Sequence, residues 1–264
     1  MKISAGDALN IVPAKCESRI PLNKLDEGEE DKIGKLINKM NDEFGEKAYS
    51  VERKCEEIVI NSYGKSAHAA SPESGINAIS RMLLFYDKLN CAKYLNKFLK
   101  FLHDSIKDES SGDSMGIGII DEPSGRLTLN LAKIDFNSNI NQAGIDIRYP
   151  VTADHKDIIS AIEKRAGEYD VRVTVTSHAQ PLYVPADHPL IVSLIRAYEK
   201  ITNEKAELLS MGGGTYARTL NNNGVAFGGA GKGGHQPDEH VDIDELTRHA
   251  MICAQAVYEL AFEA

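Results

Sequence analysis

Arg126-Leu127-Thr128-Leu129-Asn130-Leu131-Ala132-Lys133-Ile134-Asp135-Phe136, followed by the alternating run from Asn141 to Tyr149, decides the fold. Both stretches have strand length and composition. A third strand is expected over Met115–Ile120, joined to the first through the turn Glu122-Pro123-Ser124-Gly125 as a hairpin. Working outward, Ile11–Ile20, Ala48–Val51, Cys55–Asn61 and Val171–His178 also read as strands. Glu29–Phe44 reads as an amphipathic helix with Ile33, Leu36, Ile37 and Met40 on one face. Ser71-Pro72-Glu73 is a helix-start signal, with serine as cap, for a helix reaching Leu89. Further helices are expected over Ala92–His103 and Ala153–Tyr169. This order predicts an α+β domain whose helices cover one face of a mostly antiparallel sheet.

Gln180–Pro189 is a proline-bearing connector, and the sequence divides there into residues 1–182 and 183–264. The second part alternates in α/β fashion. It has a helix over Leu190–Thr202, a strand over Glu207–Ser210, a glycine turn and a short helix near Tyr216–Leu220. A strand over Gly224–Gly228, a second glycine turn and a helix over Asp244–Ala261 follow. Two short strands cannot make a stable open sheet alone, so further strands are expected from elsewhere.

Composition narrows the function. The formal net charge of −9 argues against nonspecific nucleic-acid binding. No apolar run is long enough to span a membrane, and Met1–Ala8 lacks the apolar core of a signal peptide. Cys16, Cys55, Cys91 and Cys253 are scattered without a C-x-x-C pair, as expected of reduced thiols in a cytoplasmic protein.

Several residues carry candidate chemistry, and each has a plain structural alternative. His235, in Gly233-Gly234-His235-Gln236-Pro237-Asp238-Glu239, sits on a glycine-rich turn after the apolar run Val225-Ala226-Phe227, where imidazole reaches a metal without hindrance. One histidine cannot hold a catalytic ion, which takes about three protein ligands. His68, among small residues in Gly64-Lys65-Ser66-Ala67-His68-Ala69-Ala70, suits a donor to a developing oxyanion, or is a surface or capping histidine. Arg148, at a strand end, offers a planar fork for a carboxylate, or is a solvated strand-end charge. Gly212-Gly213-Gly214-Thr215 is an anion-holding loop or an ordinary turn between strand and helix. Gly229-Ala230-Gly231-Lys232-Gly233-Gly234 has G-x-G-x-x-G spacing but no helix directly after it and no βαβ unit around it, so nucleotide binding is rejected.

Taken together, four segments in order resemble a known family. They are Asn10-Ile11-Val12-Pro13; Gly64–His68 with Gly75-Ile76-Asn77-Ala78; Arg148-Tyr149-Pro150; and Gly213-Gly214-Thr215-Tyr216-Ala217 followed by His235-Gln236-Pro237-Asp238-Glu239. The chain resembles the metallopeptidases that include aminoacylase, carboxypeptidase G and the cytosolic dipeptidases, most nearly the dipeptidase V branch, whose lid hairpin Gly125–Asn130 is similar to. The resemblance implies a lid domain over 1–182 and the C-terminal portion of an α/β catalytic domain over 183–264. It implies two zinc ions, or manganese or cobalt, of which His235 holds one. It implies His68 as the oxyanion-stabilising lid histidine, Asn10 as a substrate contact, Arg148 as the grip on the substrate's carboxylate, and Gly213, Gly214 and Thr215 as the site-lining loop. Glu239 would brace the His235 turn. The family's remaining metal ligands and general base would lie before Met1. The expectation is therefore a metal-dependent hydrolase of short peptides, here a fragment inactive alone that does not retain its metals fully. A noncatalytic dimerising module, half of a split enzyme awaiting its N-terminal partner, and an N-acyl amino acid deacylase are the alternatives.

Overall fold

The computed structural model describes residues 1–91, 93–220, 223–228, 231–232 and 238–262. The chain divides into two compact units, Met1–Ala179 and Gln180–Ala264.

The first unit runs β1 (Lys2–Ala5), β2 (Lys15–Pro21), α1 (Glu29–Phe44), β3 (Tyr49–Arg53), β4 (Glu57–Tyr63), α2 (Ala78–Leu89), α3 (Lys97–Ile106), β5 (Ile120–Asp121), β6 (Gly125–Arg126), β7 (Thr128–Phe136), β8 (Asn141–Arg148) and α4 (His155–Gly167). Six strands form one sheet in the order β3-β4-β2-β1-β7-β8, with every neighbouring pair antiparallel. Register puts Ile3 beside Ser18 and Phe136, Ile20 beside Ile58, and Ala5 beside Cys16 and Ile134. These side chains share one face. They join Ile33 and Ile37 of α1, Met82 and Phe85 of α2, Leu99 and Leu102 of α3 and Ile158 of α4 in a single core. The opposite face carries Lys15, Glu17, Arg19, Lys133 and Asp135, the alternation expected of an antiparallel sheet covered on one side.

Alternation alone would fail in β7. Leu129 and Leu131 are odd-numbered, Ile134 and Phe136 even-numbered, so an uninterrupted strand would send the two pairs to opposite faces. A register shift between Leu131 and Lys133 inserts one residue, and all four side chains are buried together. The chain leaving β1 crosses close to this bulge at Gly6, whose φ is +85° and where an added Cβ would lie 1.9 Å from Ala132 O. Only glycine fits that passage.

The helix over Glu29–Phe44 has the predicted bounds and ends at Gly45, whose N–H returns to Asn41 O and Asp42 O. Other boundaries differ from expectation. Ser71 caps no helix: Pro72–Ser74 makes only a single 3-10 turn, because Ile76 is drawn into an extended bridge with Lys65. The longer helix starts at Ala78, capped by Asn77, whose Oδ1 accepts from Ile79 N and Ser80 N. Likewise α3 begins at Lys97 because Asn96 caps it; Ala92, the expected start, lies outside the described residues. Met115–Ile119 is not a strand. Gly112 and Gly116 take positive φ, and Ile117 N bonds Gly112 O, so the segment turns while burying Met115 and Ile117. The expected hairpin survives as the two-residue pair β5–β6. Asp121 ties it to the residues after β8: Oδ1 accepts from Ser124 N and Oγ at 2.7 and 2.8 Å, and Oδ2 from Thr152 N and Oγ1 at 3.2 and 3.0 Å. Val171–His178 has no strand partner among the described residues.

The second unit contains α5 (Pro189–Thr202) and α6 (Ile243–Phe262), packed on each other through Ile191, Ala197, Ile252 and Ala256. A short 3-10 turn spans Tyr216–Leu220. Residues 207–210 and 224–228, expected as strands, are not strands here, since neither finds a ladder partner among the described residues. No helix among the described residues is long and apolar enough to cross a membrane.

Two outcomes follow. Gly6→Ala adds an overpacked Cβ to a positive-φ position, and should cost about 3 kcal/mol of unfolding free energy in chemical denaturation. Burial pushes the Asp121 carboxyl up, but its hydrogen bonds from Ser124 and Thr152 outweigh this and hold it below its usual value. Its stabilising contribution is then complete above a pH of about 4 and lost as pH falls through the folded-state pKa. Acid denaturation of Asp121→Asn should lack that part of the wild-type decline.

Candidate functional site

Between β1 and β2 the chain makes an exposed excursion through Leu9, Asn10 and Ile11. It runs antiparallel to Ala67–Ala69: Val12 N donates to Ala67 O at 2.8 Å, Ala69 N donates to Asn10 O at 2.9 Å, and Ile11 pairs with His68. Asn10 and His68, distant in sequence, are thus neighbours by backbone pairing. Both are exposed. Ala70 N donates to His68 Nδ1 at 3.2 Å, so in the neutral ring the proton sits on Nε2, which is left as a donor.

Strand β7 anchors both segments. Thr128 Oγ1 donates to Ala69 O at 3.3 Å, beside His68. Asn130 Nδ2 donates to Leu9 O at 3.2 Å and to Ile11 O at 2.9 Å, the carbonyls on either side of Asn10. Asn130 is 2% exposed, and its Oδ1 accepts from Asn77 Nδ2 at 3.4 Å. Asn77 Nδ2 also reaches Leu131 O at 2.8 Å, while its Oδ1 caps α2.

Across the β7–β8 ladder, Thr128 stands opposite Arg148 and Asn130 opposite Asp146. Directly opposed residues share a face at about 5 Å between Cβ atoms. Asp146 aligns the half-buried Arg148 guanidinium through Nε–Oδ1 at 3.4 Å and Nη2–Oδ2 at 3.0 Å. The structure therefore gathers Asn10, His68 and Arg148 on one end of the sheet, around the polar side of β7. Asn77 and Asn130 also line an adjoining cleft of about 420 Å³, with Glu73, Asp108 and Glu109 on its rim.

Thr128, Asn130, Asn77 and Asp146 were not singled out from sequence as site residues. Their segments had been marked, but a polar residue between buried leucines reads as solvated, and Asn130 is buried instead.

Gly213, Gly214 and Thr215 belong to the second unit, just before the 3-10 turn Tyr216–Leu220, where Arg218 N donates to Thr215 O at 3.3 Å. His235, with Gly233, Gly234, Gln236 and Pro237, lies outside the described residues. The residues flanking that stretch, Lys232 and His240, exchange two backbone hydrogen bonds of 2.8 and 3.0 Å. Among the described residues no three His, Cys, Asp or Glu side chains converge as a metal centre requires, so they do not by themselves fit one.

Comparison with known proteins bears on this arrangement. The sequence profile of peptidase family M20/M25/M40 matches residues 21–259. "Putative dipeptidase YtjP" of Bacillus subtilis is 36% identical over 266 residues, 99% of this chain and 55% of that protein. "Putative dipeptidase SH1171" of Staphylococcus haemolyticus is 29% identical over 212 residues, 78% of this chain and 45% of that protein. "Putative dipeptidase MW1694" of Staphylococcus aureus is 30% identical over 211 residues, again 78% and 45%. The chain spans about half the length of the curated relatives it matches. With a profile match over most of its length, the chain belongs to peptidase family M20/M25/M40.

Proposed function

We propose that this chain supplies the substrate-holding part of a hydrolase that cleaves the amide bond of short peptides, dipeptides first among them. Family membership and the names of its relatives support a dipeptidase-like hydrolase. The observation that carries the reading is the convergence of Asn10, His68 and Arg148 on one end of the antiparallel sheet.

Each residue has a role its geometry suits. Arg148, held by Asp146, presents a planar cation that recognises the C-terminal carboxylate of a dipeptide. His68, with Nε2–H as donor, stabilises the oxyanion that forms when water adds to the scissile carbonyl. Asn10 offers an amide to the substrate backbone. To Gly213, Gly214 and Thr215 we assign the role of a substrate-binding loop. In this reading residues 1–182 form a lid of the dipeptidase V type, and 183–264 form part of the catalytic domain. The family is generally metal-dependent. We assign one ligand of a zinc pair, or of manganese or cobalt, to His235, and a bracing role to Glu239. The four free cysteines, one of them exposed, suit the reducing cytoplasm.

Because the relatives extend to nearly twice the matched length, we infer that hydrolysis draws on polypeptide they carry beyond the match. A second reading is favoured by the second unit, where Leu209, Ile243 and Phe262 are 85%, 80% and 76% exposed. Such apolar surface suits coverage by another polypeptide, either a second copy or the remainder of a split enzyme.

Binding tests the first reading. NMR titration of the chain with a dipeptide and with its C-terminal amide should give affinity for the free acid at least about tenfold higher, the worth of one charge-assisted pair. Arg148→Ala should erase that ratio; an equal affinity for acid and amide in the wild type would sink the assignment. Mixing the chain with the remaining part of YtjP, in the presence of Zn²⁺, should yield dipeptide hydrolysis. His68→Ala should lower kcat in that mixture by about 10²–10³ with little change in KM. A stable, inert homodimer in the same experiment favours the noncatalytic module.

A further inference from the structure

We propose that Asn130 is a positioning residue of this site. Its buried amide fixes the backbone on either side of Asn10, and with it the strand-like pairing that presents His68, relative to Arg148. The proposal rests on the substrate-holding reading of those three residues.

Both Nδ2 hydrogens of the side chain and its oxygen have protein partners. Two carbonyl oxygens, of Leu9 and Ile11, face Asn130 Nδ2, and carbonyls only accept, so the amide nitrogen must point at them. Its oxygen takes the remaining contact, from Asn77 Nδ2. Aspartate has no donor for the two carbonyls, alanine has none either, and glutamine carries its amide one methylene too far. Asparagine is what the three partners select.

What it holds is presented outward. Leu9 and Ile11 are 43% and 42% exposed and belong to no strand, so the excursion gains little from burial. It is anchored from beneath by the Asn130 amide and from the side by Ala67–Ala69. Where Leu9 passes over β8, Gly144 clears the space: an added Cβ there would lie 2.6 Å from Leu9 Cδ2. Thr128, two residues earlier on the same face, holds Ala69 O, and the pair stands opposite Arg148 and Asp146. One strand therefore anchors all three site residues through Thr128 and Asn130, which lie about 6.8 Å apart along it. Asn77 continues the network to the N-terminus of α2, so the anchor is itself held by a helix rather than by a loop.

The test uses the full chain. In Asn130→Leu, a neutral side chain of similar size without the amide, hydrogen exchange at the Val12 and Ala69 amides should accelerate by at least about tenfold, while the β2–β4 ladder stays within about twofold of wild type. Affinity for the dipeptide and for its C-terminal amide should fall together, by about fivefold or more, with their ratio intact because Arg148 and Asp146 are untouched and no charge is added beside them. A general loosening of the unit would instead erode the ratio and the ladder as well. Unchanged exchange at Val12 and Ala69 overturns the proposal. So does faster exchange with unaltered dipeptide affinity, which would make the amide purely structural. If the leucine variant does not fold, Asn130→Ser, which keeps one donor in a smaller side chain, should show the same ordering at about threefold, and unchanged exchange in it is equally decisive. If wild type binds dipeptide and amide alike, the substrate reading fails, while the exchange data still decide whether Asn130 is the anchor.

Discussion

One inserted residue in β7 governs both sides of the sheet. Upstream of the bulge at Ala132, Leu129 and Leu131 enter the core, which leaves Thr128 and Asn130 on the other face. Downstream, Ile134 and Phe136 enter the same core and Lys133 and Asp135 face outward. Without the shift, either the leucines or the Ile134–Phe136 pair would leave the helices, and the polar residues that gather the site would replace them. Core packing and site assembly are therefore one constraint. The apolar demand of the helices fixes which way Thr128 and Asn130 point.

The same constraint explains why a buried asparagine persists in this position. An unpaired buried amide is costly, whereas a fully bonded one is close to neutral and rigid. Asn130 and Asn77 satisfy each other and three backbone carbonyls, and Asn77 satisfies two helix N–H groups besides. Rigidity follows from this linkage: no partner can leave without breaking a bond to another.

Much of the first unit could be read from residue pattern because its forces are local. The 3.6-residue spacing of Ile33, Ile37 and Met40 and the glycine at position 45 set α1 from end to end. Alternation set β8. Reading failed where a longer-range partner decided. Ser71 has cap chemistry, yet Ile76 is captured by Lys65 and the helix waits for Asn77. Met115–Ile119 has strand composition, yet two glycines turn it back on itself. At 207–210 and 224–228 the sequence carries strand propensity, which is only a fit to neighbouring strands, and among the described residues there are none beside them. For the site, His68 and Arg148 are legible as chemistry-bearing residues, and Asn10 only through the family resemblance. Their convergence is not, because it runs through Thr128 and Asn130, whose period-two placement looks solvent-facing until the bulge is known.

The arrangement also bears on how binding energy is divided. Arg148 stands opposite Thr128 in the β7–β8 ladder, so under the proposed function its recognition of a carboxylate is set by the scaffold. Asn10 and His68 sit on exposed segments that the pairing of residues 10–12 with Ala67–Ala69 and the Asn130 amide hold in place. In that reading a scaffolded cation anchors the end of a short substrate while groups held by backbone pairing meet its reacting bond. Binding energy gained at the carboxylate then orients the amide without being spent on distorting it. Under the proposed function such a site would measure the distance from carboxylate to scissile bond, which selects the C-terminal peptide bond of whatever chain is bound.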